Sequence, residues 1–110
     1  MGAARDISAD LDWLVERIRE GYEPEKIILF GSLARGETHA DSDIDLIIVK
    51  DTDASYGERV KALTPVIRGR LVAADIIIYS LKEYEDAREK YAPFLREAER
   101  DGVTLYERHG

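Results

Sequence analysis

Apolar positions recur along the chain in two rhythms, and the switch between them divides it into elements. Leu11, Leu14, Val15 and Ile18 stand at i, i+3, i+4 and i+7, which predicts an amphipathic helix over residues 8 to 20 with Ser8 as N-cap. Gly21 and Pro24 stop it. Trp13 lies off this stripe and either widens the apolar face or is left for a partner. Lys26 to Phe30 is almost wholly apolar, as expected of a strand covered on both faces.

A Gly-Ser turn and a polar loop lead from there to a second strand, Asp43 to Val49. Val60, Leu63, Ile67 and Leu71 restore helical spacing, but Pro65 interrupts a continuous helix because it lacks an amide proton and clashes with the preceding turn. Thr64 is then placed to cap a new short helix with Pro65 in its first turn. Val72 to Tyr79 reads as a third strand, rich in β-branched residues and carrying one acid, Asp75. Ser80 and Glu83 form an S-x-x-E capping box that opens a charged helix. Pro93 begins another amphipathic segment with Phe94, Leu95 and Ala98, which Gly102 terminates, and Val103 to Tyr106 is a last short strand.

Helices and strands in this order imply an α/β or α+β fold, a mixed sheet of about four strands flanked by helices. The loop from Ser32 to Asp43 is short for a helical crossover, so the first two strands should be antiparallel neighbours.

Composition narrows the function classes. The 110 residues amount to one domain, residues 1 to 110, and leave no space for a second, substrate-binding one. With 16 Lys plus Arg against 23 Asp plus Glu, the formal charge of -7 disfavours stable nucleic-acid binding. No cysteine is present, which removes disulfides, thiolate nucleophiles and zinc ribbons. Neither a signal-peptide core nor a membrane span is visible, so a cytoplasmic location without membrane attachment is the expectation.

The candidate chemistry lies in the turn and the second strand. Alternation along a strand aims Asp43 and Asp45 at one side and gives Ile44 and Leu46 to the other. Two carboxylates so close are costly unless a cation neutralises them, and hard oxygen donors suit magnesium. If the third strand lies beside the second, Asp75 joins them, and the trio would hold two magnesium ions for in-line displacement at phosphorus. An edge position or a salt bridge is the plainer account of Asp75.

Gly31-Ser32, between a strand and good helix formers, fits a close approach to phosphate, or else a plain turn with Ser32 as helix cap. Two look-alikes fail. Gly31 to Thr38 nearly matches a phosphate-binding loop, but Glu37 stands where the lysine is needed. Asp41, Asp43 and Asp45 imitate an EF-hand, yet Leu46 replaces its glycine and Thr52 its bidentate glutamate. His39 and His109 have no ligand spacing and read as surface residues.

Gly31-Ser32, ten residues, then Asp43-Ile44-Asp45 resembles the signature of the DNA polymerase beta-like nucleotidyltransferase superfamily. The fuller Gly-Ser-Leu-Ala-Arg-Gly-Glu with Ser-Asp-Ile-Asp-Leu is similar to its minimal nucleotidyltransferase branch, and the likeness covers Lys26 to Tyr79 best. The resemblance implies transfer of a nucleoside monophosphate, AMP from ATP, to a hydroxyl. By position, Gly31 and Ser32 would hold terminal phosphates, with Arg35 adding a contact or pairing with Glu37. Asp43 and Asp45 would bind metal, and Asp75 would complete the second metal site and help deprotonate the acceptor. Many members of this branch are antitoxins beside an all-helical HEPN-type ribonuclease toxin, and some adenylylate a tyrosine on it. That implies a toxin partner here, with homo- and hetero-oligomers both open. The other readings are a stand-alone transferase for a small molecule and a non-catalytic module that covers its partner.

Overall fold

The computed structural model describes residues 7–37 and 43–108. In chain order the elements are α1 (Ile7–Gly21), β1 (Lys26–Phe30), α2 (Gly31–Ala34), β2 (Ile44–Lys50), α3 (Tyr56–Leu63), β3 (Ala74–Ser80), α4 (Leu81–Glu89), α5 (Pro93–Asp101) and β4 (Val103–Glu107). The strands form one mixed sheet in the order β3-β2-β1-β4. As the short loop required, β1 is antiparallel to β2; it is also antiparallel to β4, while β2 runs parallel to β3.

Strand alternation divides the core between the two faces of the sheet. Ile27, Leu29, Ile44, Leu46, Ile48 and Ile78 pack on one face with Leu14, Ile18 and Tyr22 from the α1 region and Leu63 from α3. Ile28, Ile47 and Val49 pack on the other against Tyr84 of α4 and Leu95 and Ala98 of α5. Ile44, Leu46, Ile47, Ile48 and Val49 are all fully buried, so Asp45 is the one break in the interior run of β2. Each such aliphatic side chain contributes roughly 1.5–3 kcal/mol of burial. Trp13 packs at the edge of the first face, beneath the Arg17 guanidinium 5.6 Å from its ring centre.

Both S-x-x-E sequences form reciprocal capping boxes. Ser80 with Glu83 opens α4 as expected, and Ser55 with Glu58, which the apolar spacing did not single out, opens α3. Ser8 does not cap α1, because the helix already includes Ile7.

The stretch after α3 departs furthest from expectation. No second helix starts at Thr64; residues 64 to 69 form turns, and the Thr64 hydroxyl bonds back to the Val60 carbonyl. Arg17 of α1 reaches across to donate to the carbonyls of Val66 and Arg68, at 3.0 and 3.4 Å, and holds the turns open. Gly69, at φ 116°, then redirects the chain into conformations no helix admits. Consequently Leu71, expected on the buried stripe, is 101% exposed and β3 starts at Ala74 instead of Val72; Val60, inside α3, is 42% exposed because that helix turns Arg59 and Leu63 inward.

Gly102 ends α5 at an extended φ of -78°, without a left-handed turn. A side chain there would run into the Ala98 carbonyl and the β1 residues Ile28 and Leu29. Glycine is required at that point so that α5 and β4 can close on β1. Among the described residues, no helix is long and apolar enough to cross a membrane.

Candidate active site

The parallel register of β2 and β3 sets Asp45 directly beside Asp75, on the sheet face that carries Ile47, Val49 and Tyr79 further along the strands. Asp43 stands exposed just ahead of β2. Asp45 also faces Phe30, the last residue of β1, so the Gly31-Ser32 turn emerges next to the acids. Asp41, Thr38, His39 and His109 lie outside the described residues.

Charge and burial converge on Asp45. Its carboxyl is pushed above the ordinary aspartate range, first by desolvation and then by the negative charges of Asp75 and Asp43; Arg35 opposes them. A cation placed between these strands would remove the penalty. Among the described residues no three carboxylate or imidazole side chains are gathered into a ready-made metal cage. The donor set nevertheless fits magnesium, which binds through one or two carboxylates and takes its remaining oxygens from substrate phosphates and water.

Gly31 has φ 77°, a conformation that L side chains rarely adopt. A Cβ on it would collide with Oδ2 of Asp45. The glycine therefore answers to the carboxylate behind it. This requirement could not be read from the sequence, because it depends on the β1–β2 register. Ser32 is the second residue of the short α2, where its carbonyl accepts the amides of Arg35 and Glu37. Arg35 pairs with Glu37 at 3.3 Å, both side chains being about half exposed. Such a surface pair is weak and leaves the guanidinium available to an anion.

Sequence reasoning missed the contribution of α5. Phe94 packs edge-on against Phe30, ring centres 5.5 Å apart, and with Glu97 and Asp101 it walls a cavity of about 180 Å³ that Gly31 and Arg35 also line. The amphipathic pattern of α5 marks a packed helix, but not the end of β1 that it reaches. A larger cavity of about 680 Å³ lies between α4 and α5, around Arg88, Tyr91 and Arg96, and includes none of the three acids.

Residues 11–105 match the nucleotidyltransferase domain family. The chain belongs to that family. This nucleotidyltransferase domain is 34% identical over 84 residues to a Methanocaldococcus jannaschii protein provisionally named a protein adenylyltransferase, a match covering 74% of this chain and 78% of the relative. A provisionally named nucleotidyltransferase of Sulfolobus solfataricus shares the fold at a TM-score of 0.59 and 24% identity, covering 97% of this chain and 94% of the other. A toxin–antitoxin structure with AMP-PNP superposes at 0.57 and 18% identity, over 89% of this chain and 73% of that one. A variant of the toxin–antitoxin MntA-HpeT gives 0.53 at 17% identity, with the same coverage. At those identities the structural likeness of the nucleotidyltransferase domain is one of fold.

Proposed function

We propose that this domain transfers AMP from ATP to a hydroxyl of a partner protein, a tyrosine of a HEPN-type toxin, and thereby acts as its antitoxin in the cytoplasm. The observation that carries the reading is the register pair Asp45 and Asp75 beside the Gly31-Ser32 turn. The family match and the provisional adenylyltransferase name of the M. jannaschii relative support nucleotidyl transfer. The toxin–antitoxin neighbours support the choice of partner.

In this reading residues 1 to 110 act as one domain. Gly31 and Ser32 seat the terminal phosphates, and Arg35 leaves Glu37 to neutralise them. Asp43 and Asp45 would hold magnesium, and Asp75 would complete the site for a second ion. When bound, the metal withdraws charge from the phosphates and lowers the effective pKa of the acceptor hydroxyl. The tyrosine oxygen attacks the α-phosphorus in line, its proton passing to the Asp75 carboxylate. A new oxygen–phosphorus bond forms as the bond to the bridging oxygen breaks, and that oxygen leaves with its electron pair on pyrophosphate. The AMP left on the toxin adds negative charge and bulk to a surface that must accept RNA.

Coexpression of the partner with the wild type or with Asp75→Asn tests the reading. The partner is then separated, and its intact mass and ribonuclease activity are measured. An added AMP with lasting inactivation, both lost in Asp75→Asn, is the expected result. An unmodified partner that regains activity on separation would leave a module that works by covering its target.

A further inference from the structure

Beside the acids, on the α5 side, lies a cavity whose walls differ in chemistry. The strand registers set Asp75, Asp45 and Phe30 in one row across β3, β2 and β1, with neighbours about 5 Å apart. Phe94 of α5 stands edge-on to Phe30, ring centres 5.5 Å apart, yet remains 44% exposed. Both rings line the cavity of about 180 Å³. Gly31 and Arg35 line it from the α2 side, and Glu97 and Asp101 from α5. An exposed aromatic ring, a cation and carboxylates thus meet in a recess one strand away from Asp45.

The two acids of α5 are not equivalent. Arg100 bonds Asp101 at 3.3 Å. Glu97, exposed one turn earlier and three residues from Phe94, shares a helix face with that ring and is placed to accept from a ligand. Phosphate does not suit this wall, because the carboxylates repel it. A flat ring with an amino group on its edge does suit it, stacking on the phenylalanine and donating to the glutamate. A nucleotide carries both characters, anionic at the phosphates and donor-bearing at the base, and so matches the cation on one wall and the carboxylate on the other.

We infer that this cavity is the base pocket and that it selects adenine: the ring lies on Phe94 and its 6-amino group donates to Glu97, while the phosphates stay with Gly31, Ser32 and Arg35. The inference rests on the proposed use of ATP and assigns the residues that choose the base. An α-phosphorus held at Asp45 has Phe30 one strand away, about 5 Å, a gap that the ribose spans. Guanine presents a carbonyl oxygen where adenine has its amino group, and Glu97 repels it.

The test measures binding in the absence of any acceptor. The full protein with magnesium is titrated calorimetrically with ATP, GTP, purine riboside triphosphate and inorganic tripolyphosphate. The wild type should bind ATP about tenfold more tightly than GTP or purine riboside triphosphate, which lacks the 6-amino group. Glu97→Ala should bring ATP and purine riboside triphosphate to equal affinity. Phe94→Ala should weaken ATP about tenfold and leave tripolyphosphate unchanged, whereas Phe94→Tyr should keep the affinity for ATP. Equal weakening of ATP and tripolyphosphate in Phe94→Ala would place its effect on the phosphates and overturn the assignment of the pocket. Unchanged ATP binding in both Phe94→Ala and Glu97→Ala would overturn the inference and leave the transferase reading standing. Tighter binding of GTP than of ATP by the wild type would overturn the choice of adenine. No binding of ATP or tripolyphosphate by the wild type would overturn the nucleotide reading, and this inference with it.

Discussion

Gly31 and Asp45 fit together as a pair: the glycine Cα at the end of β1 lies against the carboxylate on β2, where no Cβ can stand. Gly31→Ala meets two obstacles, the φ of 77° and the Asp45 oxygen. The first alone costs about 1–2 kcal/mol. Chemical denaturation should show a loss above that range in the wild-type background and a loss within it beside Asp45→Ala, where the collision is gone. Equal losses in both backgrounds would mean that the turn and the carboxylate are independent.

Gly102 and Gly36 offer a control for this argument. A Cβ at Gly102 meets backbone oxygens of Ala98 and Leu29, which cannot move aside, whereas one at Gly36 meets nothing within 4 Å despite a φ of 81°. Gly102→Ala should therefore destabilise by about 2 kcal/mol or more, as overpacking does, and Gly36→Ala only by the left-handed strain of about 1–2 kcal/mol. Thermal melts of the two variants give the comparison.

Arg59 ties α3 and α4 to the end of β3 remote from Asp75. From α3 it donates to Glu83 of α4 at 2.7 and 3.1 Å, to the Ile78 carbonyl of β3 at 3.2 Å and to the Ala54 carbonyl at 2.9 Å. Arg59→Met leaves those two carbonyls without this donor and should cost about 1–3 kcal/mol.

The same contact sets a pH dependence. The hydrogen bond from Arg59, then that from the Ser80 backbone, holds Glu83 below the ordinary glutamate range. A depressed carboxyl contributes stability above its unfolded value, about 4.3, and that contribution is lost as pH falls through the folded value. Stability measured from pH 6 down to pH 3 should fall more steeply in the wild type than in Glu83→Gln. Parallel curves would show that the pair contributes nothing.

The acids should make nucleotide binding depend on metal. Titration calorimetry should show ATP binding strengthened by magnesium in the wild type, with the strengthening lost in the Asp43→Asn, Asp45→Asn double variant. Retained strengthening in that variant would remove these two carboxylates as ligands.

The sequence made some of this legible and hid the rest for identifiable reasons. β1 could be placed because an almost wholly apolar run between Pro24 and Gly31 has few other conformations. The neighbouring of Asp45 and Asp75 followed once β3 was set beside β2, since parallel register keeps alternate residues on one face. The segment from Thr64 to Ala73 misled because its fate is decided from outside: Arg17, far away in sequence, takes the carbonyls a helix would have used. Leu71 accordingly looked like a core residue and stands in solvent. The Ser55-x-x-Glu58 box is legible from its residue types, although the apolar spacing of α3 does not point to it.

The most direct measurement of the central claim follows two labels of ATP separately, incubated with this protein, its toxin partner and magnesium. Nucleotidyl transfer predicts that the α-phosphate label stays on the partner and the γ-phosphate label leaves as pyrophosphate, with both events lost in Asp75→Asn. A γ label on the partner, or an α label that Asp75→Asn transfers as well as the wild type, would contradict the account.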